Sequence, residues 1–424
     1  MAKPKLALIP AAQGTKFYSV LPSDGVGDFT FNRGSVATRI NAQGLIENVA
    51  SGVSRLDYPM IDGVQKGCPH HILEPARTNL IQYSESFSNA AWSKEDLTVT
   101  SNQTISPDGS LNADLLLPNT NNTDHSIYDQ TSATTEAFSV FLKAGGYNYA
   151  FVGENNAADT NGVFFDLING TVNKNTSSFS ASIKDYGNGW FRCTLSGSFT
   201  YTFRIICPSE NGQSFIFAGD GVKGVYSWGA QVESGSFPTS YIPNNGNAAG
   251  VTRSAETANG AGNATTFNDS EGVLMAEISA LANDLTFRNI TISDGSNSNI
   301  IQLRYRSTSN VLQALLYVGG VGETYGVTLN DITTFSKVLI KYKENDVSFW
   351  VNGFERISDT LASTFPNGTL NTLRFERGDG AFDFYGNTKQ LQYFDTALAD
   401  TQLEQLTSWQ SFRDMANGQL YTIE

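Results

Sequence analysis

Charge is scarce in this chain of 424 residues: Asp, Glu, Lys and Arg make up 16% of it, against roughly a quarter in ordinary soluble domains. What charge there is runs acidic, with 27 Lys and Arg against 41 Asp and Glu for a net of −14. A surface of that sign repels phosphate backbones, which argues against a protein that binds nucleic acid by neutralising it. Cysteine is rarer still. Cys68, Cys193 and Cys207 are too few and too uneven in number to frame a disulfide-stapled domain. Cys193 and Cys207 sit in neighbouring strand-like runs and are expected to be buried and reduced, although the spacing leaves a pair open. Histidine is limited to His70, His71 and His125, without the His-x3-His spacing that sets two imidazoles on one helical face, so a metal or base built on histidine is not expected. No run of about 18 apolar residues is present, which excludes a membrane-spanning helix. The opening MAKPKLALIPAAQGTKFYSV is broken by Pro10 and does not read as a signal peptide.

What the chain has is glycine, 39 residues of it, with aromatics at 12% and abundant Asn, Ser and Thr. That balance favours strands and tight turns over helices. The fold class expected is all-β: tandem antiparallel β-sandwiches of jelly-roll type, with a small N-terminal β-rich segment and a short C-terminal helix. At roughly 100–200 residues per domain the length suits about three.

Residues 1–78 hold short apolar stretches between turns, too thin for a core of their own, and are expected to pack on a neighbour in the same chain or another subunit. From 79 to 245 period-two strands such as AFSVFLKAG, NYAFVGE and WFRCTLSGSFT recur at sandwich spacing. Within them Asn169-Gly170 predicts a type I′ hairpin turn. Residues 246–268 are small and polar and read as a linker; strands resume over 269–424, closing on ALADTQLEQLTSWQSF, the one stretch with helical spacing.

Catalytic motifs are absent. There is no Gly-x-Ser-x-Gly elbow and no phosphate-binding loop. Glu344 and Asp346 have the two-residue spacing that places paired carboxylates on one face of a strand, but Lys-Glu-Asn-Asp reads as the turn between two strong strands. Asp294 and Asp220 stand in Asp-Gly loops that could hold Ca2+, and turn chemistry explains them equally well; no cofactor is assigned. Trp190, Trp228 and Trp350 alternate with polar residues inside strands, a core pattern. The candidate carbohydrate-binding residues are Tyr147 and Tyr149, beside the loop GENNAADTNG, and Tyr305 with its neighbours Arg304 and Arg306, since ring faces cover sugar C–H groups and polar side chains pair with hydroxyls.

Longer strings carry a resemblance. KPKLALIP, the run from YSVLPSDGVGDFTFNRG to GVSRLDYP, ILEPARTNLIQYSESFSNAAWSK, YSWGAQVESGSFPTSYIPN and TRSAE resemble those of tailed-bacteriophage virion proteins and related lectin-like phage proteins. KVLIKYKENDVSFWVNGFE and LQYFDTALADTQLEQL are similar to a concanavalin A-like, laminin-G-like sandwich. The resemblance implies a tail fibre, head fibre or receptor-binding component of a virion. It would attach to other virion proteins through residues 1–78, as a homotrimer, and display a carbohydrate-binding-module-like jelly roll and a lectin-like sandwich to host surface glycans. It implies no enzyme and transfers no sugar-binding residue. A surface-polysaccharide depolymerase and a lectin or adhesin of non-phage origin stay as alternatives.

Overall fold

Strands that alternate apolar and polar residues can hide their apolar faces only by packing sheet on sheet. In the computed structural model, which describes residues 3–130, 135–155, 160–360, 362–411 and 413–415, this happens twice. The all-β expectation holds, with antiparallel sheets throughout and a short helix, Asp400–Thr407, near the end. That helix buries Leu403, together with Leu398, against Trp350.

Residues 79–245 form the inner sandwich, two six-stranded antiparallel sheets. Strand Thr135–Gly145 lies between Phe191–Ser198 and Gly224–Ser234 in one, and Tyr149–Asn155 lies between Phe203–Ser209 and Thr160–Asp166 in the other. Phe138, Val140 and Leu142 of the first sheet meet Ala150, Val152 and Phe165 of the second in one core.

The outer sandwich corrects the expected segmentation. Its nine-stranded sheet is built on strand Gly386–Phe394, which has Glu271–Ala280 on one side. The other side is shared by His70–Leu73, paired with residues 386–388, and Leu6–Leu8, paired with 391–393. In the eight-stranded sheet Phe29–Asn32 pairs with Thr257–Ala261, which pairs in turn with Thr372–Arg374. Leu6, Leu8, Phe17, Phe29, Phe31 and Leu73 share a core with Leu274, Ile292, Leu303 and Phe349. Residues 1–78 are therefore not a structural unit apart, 246–268 is not a free linker, and 269–424 is not a complete sandwich. The thin apolar stretches of the first segment are buried in the far end of the same chain, which removes the packing reason for expecting a trimer. Such long-range pairing is physically accessible because closing a loop costs only slightly more free energy as the loop lengthens. The inner sandwich is an insertion, entered at Arg77–Asn79 and left at Val251–Arg253, two strands that pair with each other.

Where the insertion joins, charge is buried. Arg33 Nη1 donates to Glu256 Oε1 at 2.7 Å, and Arg55 donates to both Glu256 and, at 2.8 Å, Glu74 Oε2. Arg253 Nη1 lies 2.9 Å from Glu74 Oε2. All five side chains are at most 2% exposed. Removing each ion from water costs several kcal/mol, so every remaining donor needs a partner. Carbonyls of Ser35, Val49, Ala50, Thr38 and Pro75 supply most of them. Ser240, from the inner unit's last segment, donates N–H and O–H to Glu74 and accepts from Arg55 and Arg253.

One turn differs from expectation. Gly170 is left-handed at φ +64° but Asn169 is not, so the hairpin turns through a loop in which Asp166 Oδ1 accepts the N–H groups of Ile168 and Asn169 at 2.9 Å. Asn41 to Gly44, by contrast, forms a tight turn between Ala37–Ile40 and Ile46–Val49.

Two outcomes are expected. Glu256→Gln leaves Arg33 and Arg55 short of a buried counter-charge and should cost about 3–5 kcal/mol in chemical denaturation. A fragment of residues 269–424 should give a poorly dispersed NMR spectrum, because six of the strands that complete its sheets are in residues 1–78; a well-dispersed spectrum would show that the nesting is dispensable.

Candidate functional site

Strand pleating decides the fate of the sequence candidates. Along Ile300–Tyr305 successive side chains face opposite ways. Tyr305 therefore points into the core with Ile301 and Leu303, fully buried, its hydroxyl donating to the Ile278 carbonyl at 3.1 Å. It is not a surface platform. Arg304 projects from the opposite face, half-buried, and Arg306 just beyond the strand is exposed. Tyr147 is also corrected: it is buried in edge-to-face contact with Phe217, and its hydroxyl accepts the Asp220 N–H at 3.3 Å. Tyr149 is half-buried at the start of its strand, against Gly212, and residues 156–159 of the neighbouring loop lie outside the described residues.

Arg304 belongs to a constellation the sequence reading missed. Its guanidinium carbon stands 5.1 Å over the ring of Phe287, while its Nε donates to Gln313 Oε1 at 2.9 Å on the adjacent strand. Phe287 meets Phe382 at 5.5 Å and 63°, and Arg377 stacks 4.7 Å over Phe382. Phe382 is 48% exposed in a left-handed conformation, φ +54°, a cost a bulky residue bears only when its surroundings hold it there. The holding contact is Asn289, whose Nδ2 donates to the Phe382 carbonyl at 2.7 Å. Arg377 is fixed by a two-pronged pair with Asp379 at 2.6 and 2.7 Å. Beneath the rings the same sheet face buries Asn289 Oδ1 and Gln302 Oε1 without a hydrogen-bond partner. Two half-exposed rings, two planar cations and unpaired carboxamide oxygens thus meet on one face. Phe287 and Phe382 are 95 positions apart, in no shared periodicity, so only tertiary structure could bring them together.

A cleft of about 860 Å3 opens at the junction of the two sandwiches. Asp57, His70, Lys184, Tyr186, Phe237 and Phe335 are among its walls. Asp57 Oδ1 accepts the Ile40 N–H at 2.7 Å and its Oδ2 lies 3.7 Å from His70 Nε2. Burial pushes the Asp57 carboxyl up to about 6, against the opposing pull of the Ile40 N–H and the Lys184 charge. Burial likewise drives His70 down to about 3, assisted by Lys389 and Lys184. His71, stacked 3.8 Å from Phe17, is driven to about 3 by burial alone among its charge-disfavouring influences.

No family model matches this chain, and no curated protein matches it. Similar solved structures include the CBM40 module of the Ruminococcus gnavus IT-sialidase bound to α2,3-sialyllactose, 16% identical with a TM-score of 0.30, covering 35% of this chain and 94% of that one. The NanB sialidase of Streptococcus pneumoniae is 13% identical at TM-score 0.29, over 34% of this chain and 24% of that one. The leech intramolecular trans-sialidase is 14% identical at 0.30, over 36% and 27%. These likenesses reach about a third of the chain and assign none of its residues.

The remaining expectations concern turns and thiols. Glu344 and Asp346 flank Asn345, left-handed at φ +57°, in the turn between Ser336–Lys343 and Val347–Val351, and Asp346 pairs with Lys341 at 2.6 Å. Asp294 and Asp220 accept N–H groups within their own loops. Among the described residues no group of three His, Cys, Asp or Glu side chains is arranged to hold a metal. Cys193 and Cys207 are unpaired and buried in separate clusters, and burial pushes both thiols well up. Trp190, Trp228 and Trp350 are all buried.

The buried titratable groups set an acid limit. Below about pH 6.5 the unfolded chain protonates His70 and His71 while the folded chain does not, so stability is lost as pH falls towards 3. Glu74, where burial is outweighed by Arg253 and Arg55, is held down to about 2, adding a loss below about 4.5. Asp57 opposes them, gaining stability as pH falls through 6 towards its unfolded value near 3.8. With two histidines against one carboxyl over that range, the melting temperature should fall from pH 6.5 to 4, and His71→Phe should flatten that slope; an unchanged slope in the variant would place the acid sensitivity elsewhere.

Proposed function

We propose that this protein is a non-catalytic structural component of a bacteriophage virion, a fibre or decoration protein, that contacts host surface glycans through the outer face of its C-terminal sandwich. The observation that carries the binding reading is the Phe287–Phe382 pair flanked by Arg304 and Arg377. A half-exposed ring offers an apolar face to the C–H side of a sugar, and guanidinium groups held edge-on by Gln313 and Asp379 offer donors to its hydroxyls. The virion reading is supported by the strings that resemble tailed-phage proteins, which extend through both sandwiches.

An array of bacterial surface polysaccharides, probed with the full chain, tests the binding. Phe287→Ala and Phe382→Ala should each weaken the strongest signals roughly two- to twelvefold, from about 0.5–1.5 kcal/mol per ring contact, with little change in melting temperature. Undiminished binding by the double variant would remove this face from the proposal. Gold-labelled antibody against the chain should decorate particles of the source phage at fibre tips, baseplate or capsid, and bare particles would overturn the virion reading.

A further inference from the structure

Resting on the glycan-binding reading, we infer that the cleft between the two sandwiches is a second saccharide site, one that neither sandwich possesses alone and that holds a short stretch of sugar chain between Asp57 and Lys184. Its volume of about 860 Å3 is within the roughly 300–1,000 Å3 of small-molecule sites.

The walls come from the outer unit, the inner unit and the segment that returns between them. The outer unit supplies Asp57, His70 and Phe335; the edge strand Ser180–Asp185 and Tyr186 of the inner unit supply Lys184 and a ring; the return segment supplies Phe237. Asp57 commits one carboxylate oxygen to the Ile40 N–H, and the other stands 3.7 Å from a neutral imidazole, too far for a good hydrogen bond. That oxygen is an acceptor for a hydroxyl. On the far wall Lys184 is exposed and lies 5.5 Å over the Tyr186 ring, near enough to Asp57 for its charge to act on that carboxyl. An acceptor and a donor in one cleft, with the rings of Tyr186 and Phe237 among its walls, suit a vicinal diol with one apolar face.

Beside the lining residues Asp62 and Asp185 the two units touch. Hairpin Met60–Ile61 to Val64–Gln65 carries Gly63 at φ +70°, where a Cβ would fall 2.5 Å from Asp185 Oδ1. Gly187, at φ +80°, sits so close that a Cβ there would be 2.4 Å from the Gly63 carbonyl. Two glycines thus let a loop of the outer unit touch the edge of the inner one, and the contact sets the cleft's width.

The test uses the full chain and an oligosaccharide prepared from whichever polysaccharide gives the strongest signal on the array. Titration calorimetry should return two sites per chain. Asp57→Asn keeps the acceptor for Ile40 N–H, and Lys184→Ala alters an exposed side chain, so both should fold as the parent. Each should weaken one site tenfold or more and leave the other intact, whereas Phe382→Ala should do the reverse. Gly63→Val, which touches no proposed sugar contact, should weaken the cleft site by displacing the hairpin. A single site abolished by Phe382→Ala and untouched by Asp57→Asn and Lys184→Ala would overturn the cleft inference while leaving the glycan reading standing. Absence of any polysaccharide signal from the parent chain would overturn the glycan reading, and this inference with it.

Discussion

Three guanidinium groups and two carboxylates, shut away from water where one sandwich is inserted into another, are the constraint on which this architecture depends. Arg33 and Arg55 come from the first segment, Glu74 from the last residues before the insertion, and Arg253 and Glu256 from the first residues after it. A buried ion cluster adds little stability over a well-packed apolar core, but removing any one member leaves an uncompensated charge. Its geometry is consequently demanding: the ends of the insertion must return to the same place for each carboxylate to meet its guanidinium partners. Ser240 extends that demand into the inner sandwich, since it donates to Glu74 from the segment that follows the last strand there.

The same junction draws on several of the long strings quoted from the sequence. Arg33, Arg55, Glu74, Ser240, Arg253 and Glu256 all lie within them. In this chain, then, the strings carry the device that locks an inserted domain in place. A rigid joint of this kind suits a protein that must present two sandwiches in fixed relation, and the cleft exists only because that relation is held. The aromatic and arginine face stands apart from the joint on the outer sandwich, so the two proposed contacts can be altered independently.

Several local features were legible without coordinates. Period-two alternation marked the strands, Lys-Glu-Asn-Asp marked a turn, and the spacing of ALADTQLEQLTSWQSF marked the helix. The candidate site was legible only in part. Arg304 was legible only as a polar neighbour of Tyr305, the ring expected to cover a sugar, and in a pleated sheet that ring must point the other way. Phe287 and Phe382 were missed because a half-exposed phenylalanine looks, in sequence, like any core phenylalanine. Tyr147 failed for the converse reason: a polar loop beside it suggested exposure, but its ring turned inward on Phe217.

By itself the sequence determined the class of structure, since scarce charge, abundant glycine and period-two alternation admit little besides stacked antiparallel sheets. It also determined that residues 1–78 needed a partner, because their apolar stretches are too short to cover one another. Tertiary structure alone decided which partner. Leu6–Leu8 and His70–Leu73 share one edge of Gly386–Phe394, and Phe29–Asn32 takes the edge of Thr257–Ala261, pairings between segments some two to four hundred positions apart. Backbone hydrogen bonds of a ladder are the same whatever the side chains, so strand composition does not say which edge a strand will join. The choice is made by the summed burial of Leu6, Phe29 and Leu73 in a common core and by the pairing of Arg55 with Glu74 and Glu256, quantities that exist only once the chain has closed on itself.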